Sequence, residues 1–240
     1  MAERQPSLFE FRMGERSPAT LMVTEANRDA AHLLTQWRSW PGGALALVGP
    51  KGAGKSHLAL AWAIEAGARE IAPHAASDDA AAIFAEGAGW LLIDDADGAR
   101  DDGMLWRVLD LARSRSGAVL LVGQTLPNQW ATPLADLRSR LAALPVAGLK
   151  EPDVALLEVV LRRICRDRFI ELSEDAARYL ARRLPRTFAA GHSVAAVLDQ
   201  DLADGLIRGA KPVALPAARR ALEQLQAAWG EFGGETGETG

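Results

Sequence analysis

The sequence predicts an α/β fold, in which a parallel β-sheet is covered by helices on both faces and followed by a small all-helical domain. Apolar runs alternate with helix-like stretches up to Leu144, a pattern typical of parallel sheets. Beyond Leu144 only helical spacing is found. A glycine-rich turn at residues 49–56 joins an apolar run to a helix, as in many α/β proteins that bind phosphate.

Composition narrows the class of protein. The 240 residues are 49% hydrophobic and 24% charged, as in an ordinary globular chain. The net charge of −4 excludes a general basic field, so we expect any DNA contact to be local or made through a partner. The single cysteine, Cys165, excludes a disulfide framework. No signal peptide or membrane-length apolar run is found, so we expect a cytoplasmic protein.

The elements before Leu144 follow from apolar periodicity and turn residues. Strands are predicted at residues 44–48, 68–72, 89–94 and 117–123. Helices are predicted at residues 27–40, 57–64, 79–86 and 105–114. We expect residues 16–148 to form the core domain that contains this sheet.

Four helices are predicted in the second domain, at residues 153–168, 173–184, 187–206 and 216–229. Asp153, Ser173 and Thr187 are suited to cap the first three, because their side chains can accept hydrogen bonds from backbone N–H groups. The helical lid is therefore assigned to residues 149–229. The polar residues 1–15 are expected to form a flexible arm, and the Gly-Glu-Thr tail at 230–240 to be disordered.

The turn at 49–56 has the sequence Gly-Pro-Lys-Gly-Ala-Gly-Lys-Ser, a complete Walker A phosphate loop. Its glycines let backbone N–H groups surround phosphates, and a helix follows whose N-terminus attracts anions. The sequence therefore predicts binding of ADP or ATP with Mg²⁺, in which Lys55 reaches the outer phosphates and Ser56 binds the metal. The predicted nucleotide-binding residues here are Gly49, Pro50, Lys51, Gly52, Ala53, Gly54, Lys55, Ser56 and His57.

A second half of the site is predicted at the apolar run Trp90–Ile93, which ends in Asp94 and Asp95. Two adjacent carboxylates at a buried strand end repel each other unless a cation lies nearby. This Walker B pattern assigns Asp94 to Mg²⁺ and Asp95 to the orientation of an attacking water. The strand at 117–123 leads into Gln124 and Thr125, either of which can contact the terminal phosphate; turn formation before Pro127 explains them equally well.

Together these motifs and the helical lid resemble the AAA+ class of P-loop ATPases. Leu-Leu-Ile-Asp-Asp at 91–95 and Leu-Ala-Asp-Leu-Arg-Ser-Arg-Leu at 134–141 resemble the replication initiator DnaA, as does the segment from Met22 to Ala30. The resemblance covers about residues 20 to 225 and implies an AAA+ core with a lid. No helix-turn-helix domain follows the lid, so the chain is more similar to the regulatory branch of the DnaA-related family.

This resemblance implies a nucleotide-bound regulator that docks on the DNA-loaded sliding clamp and promotes hydrolysis of ATP held by DnaA, which prevents re-initiation. The protein's own ATPase activity is expected to be weak or absent. Two alternatives stay open: an autonomous AAA+ ATPase or helicase loader, and a DnaA-like initiator variant that binds the replication origin.

The arm carries Gln-Pro-Ser-Leu-Phe at 5–9, which resembles the peptide by which bacterial proteins bind the sliding clamp. Gln5 can form hydrogen bonds at a pocket rim while Leu8 and Phe9 fill an apolar cleft, and Phe11 can extend the contact. Alternatively, Leu8 and Phe9 pack on their own domain.

The resemblance also assigns two basic positions. The arginine finger of the family, which acts on a nucleotide held by a neighbouring subunit, falls on Arg140, with Arg138 as second choice. The lid arginine that senses phosphate falls on His192, so the sequence departs from the family pattern there, and Arg186 is the nearby substitute. The interface with DnaA is therefore expected on the Arg140 face.

Overall fold

The computed structural model describes residues 24–85, 89–114, 117–207 and 212–233. Gln5, Leu8 and Phe9, which are predicted to bind the clamp, lie outside these ranges, as do Phe11 and residues 234–240. The chain divides into two compact units between Glu151 and Pro152. Within the described ranges, every helix is too short or too polar to cross a membrane.

The first unit contains a five-stranded sheet in which every pairing is parallel, with strand order β2-β3-β4-β1-β5. The strands are β1 (Ala44–Val48), β2 (Arg69–Glu70), β3 (Trp90–Ile93), β4 (Ala118–Gly123) and β5 (Val146–Gly148). The four predicted strands are confirmed. Strand β5 was not predicted because only its middle residue, Ala147, is buried, so the sequence shows no apolar run.

Helices cover both faces of this sheet, as predicted. They are α1 (Arg28–Thr35), α2 (Lys55–Ala66), α3 (Ser77–Ala85), α4 (Asp102–Ser114) and α5 (Ala135–Ala142). Strand residues alternate between the two faces. On β4, Leu120 and Val122 join the core formed with α1 and α2, whereas Val119 and Leu121 join the core formed with α3, α4 and α5.

The two largest differences from the predicted helix boundaries of the first unit are the end of α1 and the start of α4. The predicted helix at 27–40 ends at Thr35, and residues Trp37–Ser39 form a 3₁₀ turn. This tighter turn buries the indoles of Trp37 and Trp40, and the Trp40 N–H donates to the carbonyl of Leu33. Helix α4 begins before its predicted start because the Asp101 carboxylate accepts a hydrogen bond from the Met104 backbone N–H at 2.7 Å.

The second unit is all-helical, with α6 (Val154–Asp167), α7 (Glu174–Ala181), α8 (Phe188–Ala203) and α9 (Leu215–Gly233). The predicted caps are confirmed, because Asp153, Ser173 and Thr187 each accept a backbone hydrogen bond three residues ahead. Helices α7 and α8 end three residues before their predicted ends. Helix α9 continues to Gly233, so the first four residues of the predicted disordered tail are helical.

Candidate functional site

The strand order places the three predicted polar strand ends at one edge of the sheet. Strand β4 pairs with β3 on one side and β1 on the other. Because the strands are parallel, their carboxyl ends lie at the same edge. The phosphate loop follows β1, Asp94 follows β3, and Gln124 and Thr125 follow β4 between them. Strand β4 therefore lies between the two strands that carry the nucleotide motifs.

The backbone of the phosphate loop requires glycine at several positions. Gly52 and Gly54 have φ angles of 81° and 88°, which residues with a Cβ rarely adopt. A Cβ on Gly49 would lie 2.5 Å from the carbonyl oxygen of Leu149. Helix α2 begins at Lys55, so Ser56 lies in its first turn, where backbone N–H groups are free to bind an anion. The loop therefore has the conformation that a phosphate-binding turn needs.

Lys55 lies across this loop. Its Nζ donates to the carbonyl oxygens of Gly49 at 2.8 Å and Pro50 at 2.9 Å. Partial burial lowers the pKa of Lys55, and the negative charges of the nearby Asp94, Asp97 and Asp95 oppose that shift. The ammonium group is thus held between the loop and a group of carboxylates.

The next residues of the helix face outward. Ser56 and His57 are both exposed. Although the His57 ring is in contact with solvent, the protein atoms around it desolvate it and lower its pKa. His57 is therefore mostly neutral at neutral pH and adds no full charge beside the phosphate loop.

The two carboxylates after β3 differ in environment. Asp94 is half-buried, and its Oδ1 accepts a hydrogen bond from the Asp95 backbone N–H at 2.9 Å. Asp95 is exposed and has a φ of 51°, in the left-handed region that few residues other than glycine adopt. Such strain is found most often at functional sites. The tight turn directs the chain back from the strand end immediately after Asp94.

Asp97 was not predicted as a site residue, yet it joins two strand ends. Its Oδ2 accepts hydrogen bonds from the backbone N–H of Gln124 at 2.6 Å, the backbone N–H of Thr125 at 3.1 Å and the Thr125 hydroxyl at 3.3 Å. Pairing of Ala96 N–H with the Val122 carbonyl extends the ladder and brings Asp97 beside the end of β4. The only feature of the sequence that indicates this role is the third carboxylate in Asp-Asp-Ala-Asp at 94–97.

Arg140 lies on α5 and contacts residues of its own unit. Its guanidinium forms ion pairs with Asp110 at 3.1 Å and with Asp136 at 3.4 Å. It also lies over the Trp106 ring, 5.1 Å from the centroid. By contrast, Arg138 is exposed and makes one long contact, at 3.4 Å, to the Thr132 carbonyl.

The two lid candidates belong to the second unit. His192 is exposed on α8, and Arg186 is exposed just before the Thr187 cap. Helix α8 places His192 after Gly191, whose missing side chain leaves room for Ile164 and Leu161. The packing of Ile164 and Leu161 therefore explains why a glycine occupies position 191, whereas His192 is exposed to solvent.

The donor set at the sheet edge fits a magnesium nucleotide. The loop supplies backbone N–H groups, Lys55 supplies a cation, and Ser56 and Asp94 supply the oxygen atoms that Mg²⁺ prefers. Gly52 and Gly54 have no side chain, which allows a ligand to approach the loop backbone closely.

Comparison with known structures defines the fold. Domain III of the DnaA replication initiation protein from Thermotoga maritima has a TM-score of 0.63 and 20% sequence identity, covering 84% of this chain and 93% of that one. Replication initiator DnaA bound to AMPPCP and single-stranded DNA has a TM-score of 0.57 and 19% identity, covering 77% of this chain. The chain has an AAA+ fold.

The same AAA+ fold is found in the RuvB Holliday junction branch migration motor of Thermotoga maritima, with a TM-score of 0.62, 19% identity and coverage of 82% of this chain and 69% of that one. This chain spans 64% of the length of the DnaA bound to AMPPCP and single-stranded DNA. No protein-family model and no curated protein sequence matches the chain.

Asp97→Asn is expected to lower the free energy of unfolding by about 1 kcal/mol, because hydrogen bonds to a charged acceptor are stronger than those to a neutral one. Urea denaturation measures this difference. Asp95→Asn is the matched control, since the same change two residues earlier affects an exposed side chain. Equal stabilities of the two variants would contradict a structural role for Asp97.

Proposed function

We propose that the chain is a nucleotide-bound regulator of replication initiation of the Hda type, which inactivates DnaA after initiation. The observation that carries the proposal is a complete phosphate loop and Walker B end on a fold that matches 93% of DnaA domain III. The resemblance of residues 91–95 and 134–141 to DnaA supports the same branch of AAA+ proteins.

The nucleotide in this proposal is ADP or ATP with Mg²⁺, held by residues 49–57. Lys55 neutralises the outer phosphates, while Ser56 and Asp94 hold the metal, which spreads the phosphate charge. Asp95 orients water, and Thr125 follows the end of β4, which lies between the strands that carry the phosphate loop and Asp94. The Thr125 hydroxyl donates its only hydrogen to Asp97, so it must exchange that hydrogen bond before it can donate to a phosphate. His192, a residue of the second unit, is assigned to nucleotide binding by the family resemblance alone.

Arg140 is proposed to act on the ATP that DnaA holds. A guanidinium is planar and permanently charged, so it can stabilise the charge that develops on phosphate oxygens during hydrolysis. DnaA would then pass to its inactive ADP form. The protein's own turnover is a minor activity in this proposal, and its main effect is on hydrolysis by the partner.

The sliding clamp is the second proposed partner, bound through Gln5, Leu8 and Phe9. A terminal peptide with one polar anchor and two adjacent apolar side chains suits a shallow apolar cleft. Since the clamp encircles DNA, this contact brings the protein to DNA without a basic surface of its own. The net charge of −4 supports such an indirect route.

Similarity to RuvB favours one alternative, an autonomous AAA+ motor or helicase loader. Steady-state ATP hydrolysis separates the two functions. A motor hydrolyses ATP by itself or with DNA, whereas the proposed regulator accelerates hydrolysis only on DnaA. An origin-binding initiator variant would instead bind duplex DNA directly, with strong dependence on salt.

Lys55→Ala is expected to weaken ADP binding by about 10- to 100-fold, because hydrogen bonds to a charged group contribute about 1.5–3 kcal/mol. Isothermal titration with ADP and Mg²⁺ measures the affinity. Lys150→Ala, the same change at an exposed lysine outside the phosphate loop, should retain affinity within about three-fold. Parent-like binding by Lys55→Ala would place the nucleotide elsewhere.

Alanine at Gln5, Leu8 and Phe9 together is expected to weaken clamp binding by more than about 100-fold, since anchor side chains carry most of the energy of such contacts. Surface plasmon resonance on immobilised clamp measures this, and a peptide of residues 1–12 should compete. The control carries alanine at Glu3, Arg4 and Glu10 and should bind like the parent. Unchanged affinity of the first variant would show that the arm is not the anchor.

Arg140→Ala is expected to reduce stimulation of DnaA-bound ATP hydrolysis by about a thousand-fold or more, the usual effect of losing an arginine finger. Single-turnover hydrolysis on DnaA is measured with clamp-loaded DNA, omitting clamp, DNA or this protein in turn. Arg140→Lys should restore little activity, because an ammonium lacks the planar fork. Arg107→Ala, at an exposed arginine of α4, is the control. Full stimulation by Arg140→Ala would transfer the role to Arg138 or reject it.

A further inference from the structure

Arg140 is enclosed by three side chains of helices α4 and α5. Its Nη2 lies 3.1 Å from Oδ1 of Asp110, its Nε lies 3.4 Å from Oδ2 of Asp136, and its guanidinium carbon lies 5.1 Å from the centre of the Trp106 ring. The side chain is 22% exposed. Two carboxylates and an indole face thus occupy much of the surface of one guanidinium.

The Trp106 indole also fixes one of the carboxylates. Its N–H donates a hydrogen bond to Oδ2 of Asp136, the same oxygen that faces Arg140. This hydrogen bond, helped by the positive charge of Arg140, holds the pKa of Asp136 below its ordinary value. Asp136 is therefore ionised at neutral pH, and its orientation is set by Trp106.

These contacts oppose the catalytic role proposed for Arg140, because that role requires its guanidinium to bind phosphate. Carboxylate and phosphate oxygens bind the same guanidinium N–H groups, so a carboxylate already in place competes with phosphate. Two carboxylates also cancel the positive charge that would stabilise the transition state. The guanidinium of Arg140 is consequently satisfied inside its own chain.

The competing contacts are easily exchanged. The side chains of Asp110 and Asp136 are 46% and 65% exposed, and ion pairs in contact with water contribute little net energy. A nucleotide phosphate carries more charge and more acceptor oxygens than one carboxylate. It can therefore displace Asp110 when a partner brings it within reach.

We propose that Trp106, Asp110 and Asp136 form an arginine latch, which holds Arg140 in an inactive arrangement until a partner's nucleotide phosphate displaces Asp110. The latch rests on the proposed function of Arg140 and adds a way in which that function is regulated. It makes stimulation depend on a close contact with the partner, because a distant phosphate does not compete with a carboxylate at 3.1 Å.

The sign of a single substitution tests the latch. If Asp110 restrains Arg140, Asp110→Asn speeds hydrolysis of DnaA-bound ATP by about three-fold, the factor expected for loss of one exposed ion pair. If Asp110 instead orients Arg140 for catalysis, the same change slows hydrolysis. Asp110 is a better target than Asp136, because Asp136 also accepts the hydrogen bond from Trp106.

The assay is single-turnover hydrolysis of ATP on DnaA with clamp-loaded DNA, at a concentration of this protein below saturation. Asp110→Glu should keep the parent rate, and Asp110→Asn combined with Arg140→Ala should give no stimulation. Asp167→Asn is the control, since it removes a carboxylate paired with an exposed arginine, Arg163, in the second unit. A rate for Asp110→Asn equal to or below the parent overturns the latch while the proposed function stands.

A second measurement needs no DnaA. In the free protein, nuclear magnetic resonance follows the exchange of the Arg140 Nη protons, which face Asp110, with water, together with the indole N–H signal of Trp106. Asp110→Asn should speed the Arg140 exchange several-fold with little change at Trp106. Equal exchange in both proteins overturns the latch. Faster exchange without any stimulation of DnaA by the parent would show that Asp110 restrains Arg140 but would reject the proposed function, and with it the release of the latch by DnaA-bound nucleotide.

Discussion

The parallel pairing of β4 between β1 and β3 is the constraint on which the candidate site depends. In this register Val48 lies opposite Gly123 and Ile93 lies opposite Leu121, so β4 extends beyond the end of β3 and ends level with β1. The phosphate loop and Asp94 therefore emerge on either side of the end of β4. Backbone hydrogen bonds of buried strands are costly to break, which makes this spacing a rigid property of the core.

The side chain of Asp97 reinforces this arrangement of the strand ends. By accepting three hydrogen bonds at the end of β4, its carboxylate ties the turn after β3 to Gln124 and Thr125. Gly123 allows this approach, because a Cβ there would lie 3.1 Å from the Asp97 carboxyl carbon. The strained backbone of Asp95 lies in the same turn, so the hydrogen bonds of Asp97 offset part of the strain.

The parts of the fold that could be predicted are those that local chemistry determines. Fully apolar runs such as Ala44–Val48 predict buried parallel strands. The capping oxygens of Asp153, Ser173 and Thr187 predict where helices begin. Strand β5 could not be predicted, since its place is decided by pairing with β1 rather than by its own residues. The end of α1 was missed for a related reason, because burial of Trp37 and Trp40 overrides helical periodicity.

The residues of the candidate site likewise differ in whether the sequence could predict them. The phosphate loop and Asp94 are recognisable because their spacing is local, whereas the role of Asp97 depends on a strand 27 residues away in the chain. Arg140 could be assigned only through resemblance, and resemblance says nothing of its neighbours Trp106 and Asp110, which lie on another helix. Contacts between elements distant in sequence are invisible to periodicity and motif spacing.

Both cations proposed to meet phosphate are satisfied within the chain. Lys55 donates to two loop carbonyls, and Arg140 faces two carboxylates and an indole. A partly buried cation without partners is unfavourable, so internal acceptors stabilise each one in the free protein. The two sets of acceptors differ in strength, because carbonyl oxygens carry partial charges whereas carboxylates carry full ones. Exchange for phosphate should therefore be easier at Lys55, where a nucleotide is proposed to be resident, than at Arg140, where the phosphate belongs to a partner and the contact is temporary.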